Sequence, residues 1–214
     1  MGGVLLWING PFGVGKTQTA FELHRRLNGS VVCDPEFVGY GLHRTMPRHL
    51  RRDFQDLPAW RQGVFEVLDS TLRQYDGPVI APMTVIEPRY FAETVGRLRD
   101  VGHEVFHFAL LARRETVLNR LSDRGLGFGG LLRRTGKQDA ALRREAFAVE
   151  RLDRGLENLA RPEFADQIWT DNLGIPEVAE RIAGIAGVSL APNTDGAVRA
   201  RLRRTAVTLR HIRL

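Results

Sequence analysis

The 214-residue chain has one cysteine, Cys33, and only two lysines, Lys16 and Lys137, so that 29 of its 31 basic residues are arginine. A lone cysteine excludes an internal disulfide framework. Two lysines, neither in the guanine-reading N-K-x-D pattern, exclude a signalling GTPase. No uncharged run reaches the roughly 18 residues that a membrane-spanning helix needs, and Met1 to Gly10 carries neither a basic leader nor a small-residue cleavage site. Low-complexity tracts and internal repeats are missing too. These absences lead us to expect a soluble globular protein of a reducing cytoplasm.

The 43% hydrophobic content is enough for one domain with a full core. Charge is unevenly placed within the net +6. Residues 187–214 hold six arginines against one aspartate, residues 113–145 nine cations against four acids, and the remainder is net acidic. Such patches suit nucleic acid, anionic lipid or a polyphosphate ligand, and their position along the chain decides between these.

Val4-Leu5-Leu6-Trp7-Ile8, closed by Asn9-Gly10, reads as a buried strand followed by a tight loop. The spacing of Ala20, Phe21, Leu23 and Leu27 predicts a helix that stops at Asn28-Gly29. A second strand follows over 30–33, leaving in an extended conformation at Asp34-Pro35-Glu36. Helical periodicity is expected over 47–56 and 59–75, a strand over 78–81, a helix over 87–101 and a strand over 104–111. Helices over 115–124 and 138–159, a strand over 168–170 and a helix over 175–186 complete the pattern. Alternation of this kind predicts a parallel sheet covered by helices on both faces. We expect one domain over 1–186 and a basic tail over 187–214, with Ala191 to Gly196 as a linker.

Gly10-Pro11-Phe12-Gly13-Val14-Gly15-Lys16-Thr17 matches the phosphate-binding loop G-x-x-x-x-G-K-[ST]. The chain's own composition gives roughly 0.0015 chance matches, so coincidence is a poor account of it. The reading assigns each part a task. The backbone of Gly10, Gly13, Val14 and Gly15 cradles the phosphates of ATP at a helix N-terminus, Lys16 reaches the terminal phosphates, and the Thr17 hydroxyl meets Mg²⁺. The fold class is therefore α/β, a three-layer phosphate-loop NTPase fold. The G-x-x-G-x-G-K-T form resembles the small-molecule and nucleoside-monophosphate kinases, which close a lid over their substrates. The third strand ends in Pro82-Met83-Thr84, where many ATPases carry a metal-binding aspartate, which disfavours a hydrolytic ATPase.

Asp34 stands at the end of the second strand, the edge where open α/β sheets bind ligands. It is the candidate general base and a second candidate contact for Mg²⁺; the alternative is a turn cap before Pro35. Arg120 and Arg124, spaced i, i+4 on one helix, are candidates for stabilising the transferred phosphoryl group. Gly125 to Gly130 with Arg133, Arg134 and Lys137 reads as the lid, within an arginine-rich region over 113–145. Phe37, Tyr40, Arg44, Arg48, Arg51, Arg52, Phe54 and Trp60 mix aromatic and cationic side chains suited to a sugar or nucleoside; core packing and a solvated helix face account for the same residues. The histidines form no ligand-spaced pair, and His107 reads as a core residue.

With Leu6-Trp7-Ile8-Asn9-Gly10-Pro11-Phe12-Gly13-Val14-Gly15-Lys16-Thr17, Asp34-Pro35-Glu36, Pro82-Met83-Thr84 and Asn119-Arg120-Leu121 in place, the chain resembles the tunicamycin-resistance protein family over most of residues 1–185. The resemblance implies ATP binding, resistance to a nucleoside antibiotic and peripheral membrane association through the C-terminal end. It leaves open whether the antibiotic is phosphorylated or bound. Val198, Leu202, Ala206, Leu209 and Ile212 form an apolar helical stripe in the tail, with Arg199, Arg203, Arg204, Arg210 and Arg213 opposite, suited to an anionic membrane surface over 197–214. A packed strand fits the same residues.

Two functions from different classes follow. The first is an ATP-dependent kinase acting on a hydroxyl of a nucleoside or sugar compound, tunicamycin by resemblance, using Lys16, Asp34, Arg120 and Arg124. The second is an ATP-dependent binding protein that sequesters the antibiotic without turnover. A nucleic-acid-binding ATPase lacks both the strand-end acid and any nucleic-acid motif.

Overall fold

The computed structural model describes residues 3–121, 152–164 and 166–196, together with positions 199, 202, 203 and 205–207. Five parallel strands, β1 (Leu5–Asn9), β2 (Val31–Val32), β3 (Val79–Pro82), β4 (Val105–Leu111) and β5 (Gln167–Trp169), form one sheet in the order β2-β3-β1-β4-β5. Period-2 alternation sorts their side chains onto two faces. Leu6, Ile8, Phe108 and Leu110 point to one core; Leu5, Trp7, Ala109 and Leu111 point to the other. All eight are buried, so both faces of the sheet need covering.

The first face is covered by α1 (Lys16–Arg26) through Ala20 and Leu23, by α8 (Ile175–Ile185) through Val178, Ala179 and Ile182, and by α6 (114–121) through Val117 and Leu121. On the second lie α3 (Pro58–Gln74), with Trp60, Val64, Leu68 and Leu72 at helical spacing, and a helical segment built from α4 (Pro88–Phe91), a π turn (Ala92–Gly96) and α5 (Arg97–Asp100). Helix α7 (Leu152–Leu159) closes the sheet near β4, placing Leu152 in the first core and Leu159 in the second. Each buried aliphatic or aromatic side chain of this kind contributes roughly 1.5–3 kcal/mol. Among the described residues no helix is long and apolar enough to cross a membrane.

Two expectations between β2 and α3 need correction, and a third follows at the C-terminal side. Pro35 does not lead into extended chain: at φ −63° and ψ −17° it caps α2 (Glu36–Thr45), because the fixed φ of proline already suits a helix start. The periodicity over 47–56 yields two 3₁₀ turns, Arg48–Leu50 and Phe54–Asp56, separated by extended chain. Pro47 and the Asp53 side chain, which accepts from the Gln55 N–H, begin separate turns and prevent a continuous helix.

The segment expected as a linker lies along α1. The Ala191 N–H donates to the Arg26 carbonyl at 2.8 Å, and Arg26 Nε donates back to the Ala191 carbonyl at 2.8 Å. Asp195 bridges Arg25 and Arg203. Small and polar residues that read as a spacer in fact cap the end of α1. Beyond them, positions 199, 202, 203 and 205–207 are helical, with Leu202 66% exposed.

Candidate active site

β1 sits between β3 and β4, and its loop opens where the crossovers run to opposite sides, the place ligands occupy in open α/β sheets. The loop 10–15 follows β1 and leads into α1. Gly10 has φ 144°, and a Cβ there would stand 2.5 Å from the Leu110 carbonyl oxygen, so a side chain is excluded on conformation and on space. Gly15, at φ 104°, is the left-handed N-cap of α1 and offers no capping side chain, leaving the helix start shaped for an external anion.

Four hydrogen bonds from one side chain hold the loop's entry. Asn9 Oδ1 accepts from the N–H groups of Gly10 (2.8 Å) and Val85 (2.9 Å), while Asn9 Nδ2 donates to the Val85 carbonyl (2.7 Å) and lies 3.2 Å from His107 Nε2. Since Oδ1 already serves two donors, Nδ2 faces His107, whose Nε2 accepts; the network assigns the neutral Nδ1–H tautomer. Thr84 Oγ1 completes the frame by donating to the Gly10 carbonyl at 2.9 Å. Asn9, Thr84 and His107 are all buried, so this frame is shielded from water. It ties the segment after β3, which lacks a strand-end acid, to the phosphate loop.

Lys16 is buried, and its Nζ donates to the Pro11 carbonyl at 3.0 Å, turned back over the loop. Asp34, at the carboxyl end of β2, is 9% exposed. Its Oδ1 accepts from the Glu36 N–H at 2.9 Å, the turn-capping contact that was the alternative reading. Burial pushes the Asp34 carboxyl up to about 7 and the Glu36 carboxylate adds to the rise, while the Glu36 N–H and the Lys16 ammonium pull it back. Lys16 and Asp34 thus share one site.

Arg120, half-buried on α6, reaches the far side of the loop. Its Nη1 donates to Thr170 Oγ1 (3.0 Å) and to the Val14 carbonyl (3.4 Å), and its Nη2 donates to the Thr170 carbonyl (2.7 Å). Asp171 anchors the same helix by accepting from the Arg113 N–H and the Thr116 hydroxyl. Arg124, Arg133, Arg134, Lys137 and most of the 113–145 lid region lie outside the described residues.

The expected acceptor residues separate. Trp60 is fully buried and its Nε1 donates to the Pro35 carbonyl at 3.1 Å, so it supports the turn carrying Asp34. Phe37, 49% exposed, meets Tyr40 edge-on, and Tyr40 meets Phe54. Arg44, Arg48, Arg51 and Arg52 are exposed. Burial pushes the Cys33 thiol up, which keeps it protonated at neutral pH. Among the described residues no three His, Cys, Asp or Glu side chains gather as a metal site.

Residues 5–130 match the family described as an AAA domain. The tunicamycin resistance protein of Deinococcus radiodurans is 34% identical to the chain, with 88% of this chain and 98% of that one covered and a TM-score of 0.66. The chain belongs to the tunicamycin-resistance protein family. This family member shares its fold with a sugar kinase from Janibacter (18% identity, 87% and 96% covered, TM-score 0.59). It also shares it with the APS kinase of Mycobacterium tuberculosis, solved with AMPPNP and APS (16% identity, 87% and 98% covered, TM-score 0.60). No curated protein sequence matches. The fold is thus the one these phosphate-loop kinases share, as the motif spacing leads one to expect.

Sequence reasoning missed Asn9, Thr84 and Thr170 as framework of the site. For Asn9 the signal was available: an amide ending an otherwise apolar strand, directly before the first glycine of the motif, needs buried partners.

Proposed function

We propose that the protein transfers the terminal phosphoryl group of ATP to a hydroxyl of a nucleoside antibiotic or a related sugar compound, with tunicamycin the acceptor that the relative's name suggests. The observation that carries this reading is the placement of Asp34: a buried carboxyl, pushed by burial up to about 7 and drawn back in part by the Lys16 charge, at the strand edge next to the phosphate loop. A general base works best when its pKa lies near the operating pH. The acceptor oxygen forms a bond to the γ-phosphorus, the bond from that phosphorus to the β-bridging oxygen breaks, ADP leaves, and the hydroxyl proton passes to Asp34.

The residues fit a nucleoside triphosphate. The loop is glycine where a Cβ would intrude, the α1 start lacks a capping side chain, and Lys16 rests on a main-chain carbonyl from which a phosphate can draw it. Thr17 is the side chain that would hold Mg²⁺, which when bound offsets charge on the phosphates, and this leaves Asp34 to serve as the base. Arg120 would fix the loop's outer edge through Val14 and so orient the phosphates.

Mass spectrometry of tunicamycin after incubation with the protein, ATP and Mg²⁺ tests the reading. A phosphate-sized gain is expected, absent with Lys16→Ala and reduced about 10²- to 10⁴-fold with Asp34→Asn while ATP affinity stays within about twofold. No gain, with ATP and tunicamycin each bound at one per protein, would replace the kinase by the sequestering protein. The basic tail over 197–214 we read as a contact for anionic lipid, supported by exposed Leu202 beside arginines. Removing residues after Gly196 keeps the segment bonded to α1, and co-sedimentation with anionic liposomes should then be lost.

A further inference from the structure

The phosphate-loop motif fixes its glycines, its lysine and its hydroxyl residue and leaves position 12 open, and the chain places a phenylalanine there. A phosphate gains nothing from a benzene ring, whose face is electron-rich, so this side chain serves another group. The loop holds the ring in place. Phe12 is half-buried against the first core, and Val14 beside it is buried. Between them Gly13, at φ 90°, runs so close to α6 that a Cβ would come within 2.9 Å of Val117 Cγ1.

The group served is the Lys16 ammonium. Its Nζ lies over the Phe12 ring, 5.4 Å from the ring centre, inside the roughly 6 Å at which a cation is drawn to an aromatic face. The same Nζ donates to the Pro11 carbonyl at 3.0 Å, so two neighbouring residues hold one charge. Lys16 is 8% exposed. An ammonium withdrawn that far from water needs compensation, and its flexible stem must lose rotamer freedom before the charge is aimed. A carboxylate in the place of the ring would compensate the charge and rival the phosphate for it. An aromatic face attracts the cation weakly and carries no net charge, so it places the lysine and still yields it to an anion.

We infer that Phe12 is a positioning residue for Lys16: its ring face, with the Pro11 carbonyl, sets the ammonium over the phosphate loop before a nucleotide arrives. Ordering the side chain in advance removes that cost from nucleotide binding. The inference rests on the loop holding a nucleoside triphosphate and is independent of the acceptor.

The chain has only two lysines, so isotope labelling of the lysine Cε gives two signals in nuclear magnetic resonance, and Lys16→Met identifies the one from Lys16. In the nucleotide-free protein the ring current of Phe12 should move that signal upfield. Phe12→Leu, which keeps an apolar side chain against the core, should abolish the shift, and Phe12→Tyr should retain it. Calorimetry with Mg²⁺ and a non-hydrolysable ATP analogue, carried to millimolar ligand, supplies the second readout. Phe12→Leu should weaken binding about three- to tenfold and Phe12→Tyr by less than about twofold. In a Lys16→Met background Phe12→Leu should change affinity by less than about twofold, because the effect runs through the ammonium. Equal weakening in both backgrounds would make Phe12 a packing residue and overturn the inference, as would an unshifted Lys16 signal in wild type. A shifted signal in a wild type that does not bind the analogue would overturn the nucleotide reading, and the positioning role with it.

Discussion

The phosphate loop and the wall over 36–57 are built differently. Around the phosphate loop the fixing contacts are directional hydrogen bonds: Asn9 closes a buried two-way pair with Val85, buried Thr84 holds the Gly10 carbonyl, and half-buried Arg120 spans Val14 and Thr170. The wall over 36–57 is held by ring edges and short turns, and it presents Arg44, Arg48, Arg51 and Arg52 to solvent. The first arrangement suits a ligand whose chemistry never varies, since buried networks specify one geometry. The second suits a ligand-specific surface, which can change residue by residue without endangering the core. Asp34 lies at the junction and carries features of both.

That junction gives the largest expected effect. A carboxyl raised from 3.8 to about 7 in the folded state binds its proton more tightly folded than unfolded. Its contribution to stability is therefore full below about pH 4, declines as pH rises, and is gone above about 7, a swing on the order of 4 kcal/mol. Asp34→Asn keeps an oxygen for the Glu36 N–H and removes the ionisation. Thermal melts should show the variant several degrees more stable than wild type at pH 8 and nearly equal at pH 4. Equal melting at both would mean that Asp34 is not strained by burial, and the junction would belong wholly to the solvated side.

Next in size is Asn9. Truncation to alanine strands the Val85 and Gly10 groups in a dry interior and should cost about 2–4 kcal/mol by denaturant titration. The isosteric Asn9→Asp should cost a similar amount, because it replaces the Nδ2 donor opposite the Val85 carbonyl and His107 with a second acceptor. Full stability in Asn9→Asp would break the claim that the phosphate side is a fixed polar frame.

How much of this was legible beforehand follows the same division. The motif from Gly10 to Thr17 announced strand, loop and helix together, because left-handed glycines and a single lysine have few other uses at that spacing, and the sheet followed from five apolar runs. Over 36–57 the pattern misled. Pro35 signalled extended chain where it starts a helix, and the periodicity of 47–56 belongs to residues that pack on α2 from a loop, as Phe54 does against Gly39. Tertiary contact rather than local preference shapes that stretch, so no window of sequence contains its cause. The linker reading of Ala191 to Gly196 failed similarly, its partner Arg26 being 165 residues away.

Arg120 is expected to matter less than Asn9 because it is only half-buried. Its forked guanidinium satisfies Thr170 with two nitrogens, a geometry a lysine cannot copy. Arg120→Gln and Arg120→Lys should each lower stability by about 1–2 kcal/mol and weaken ATP binding about tenfold in calorimetry. Rescue by lysine would reduce the arginine to a point charge, and the loop's outer edge would then be held by electrostatics instead of shape.

The smallest effect sharpens the contrast most. Arg44 and Arg48 are exposed, and a solvated guanidinium on a helix or turn surface contributes little to folding. Arg44→Gln and Arg48→Gln, singly or together, should leave the denaturation midpoint within about 0.5 kcal/mol of wild type. If they serve a ligand, their influence is long-ranged and screened, so the pair should lower the association rate of an acceptor at low salt and lose that effect as the Debye length falls to about 8 Å at physiological ionic strength. A stability loss above about 1 kcal/mol in the double variant would place these arginines in a structural network after all. The wall over 36–57 would then depend on its own packing no less than the phosphate frame does, and its surface could not be altered independently of the fold.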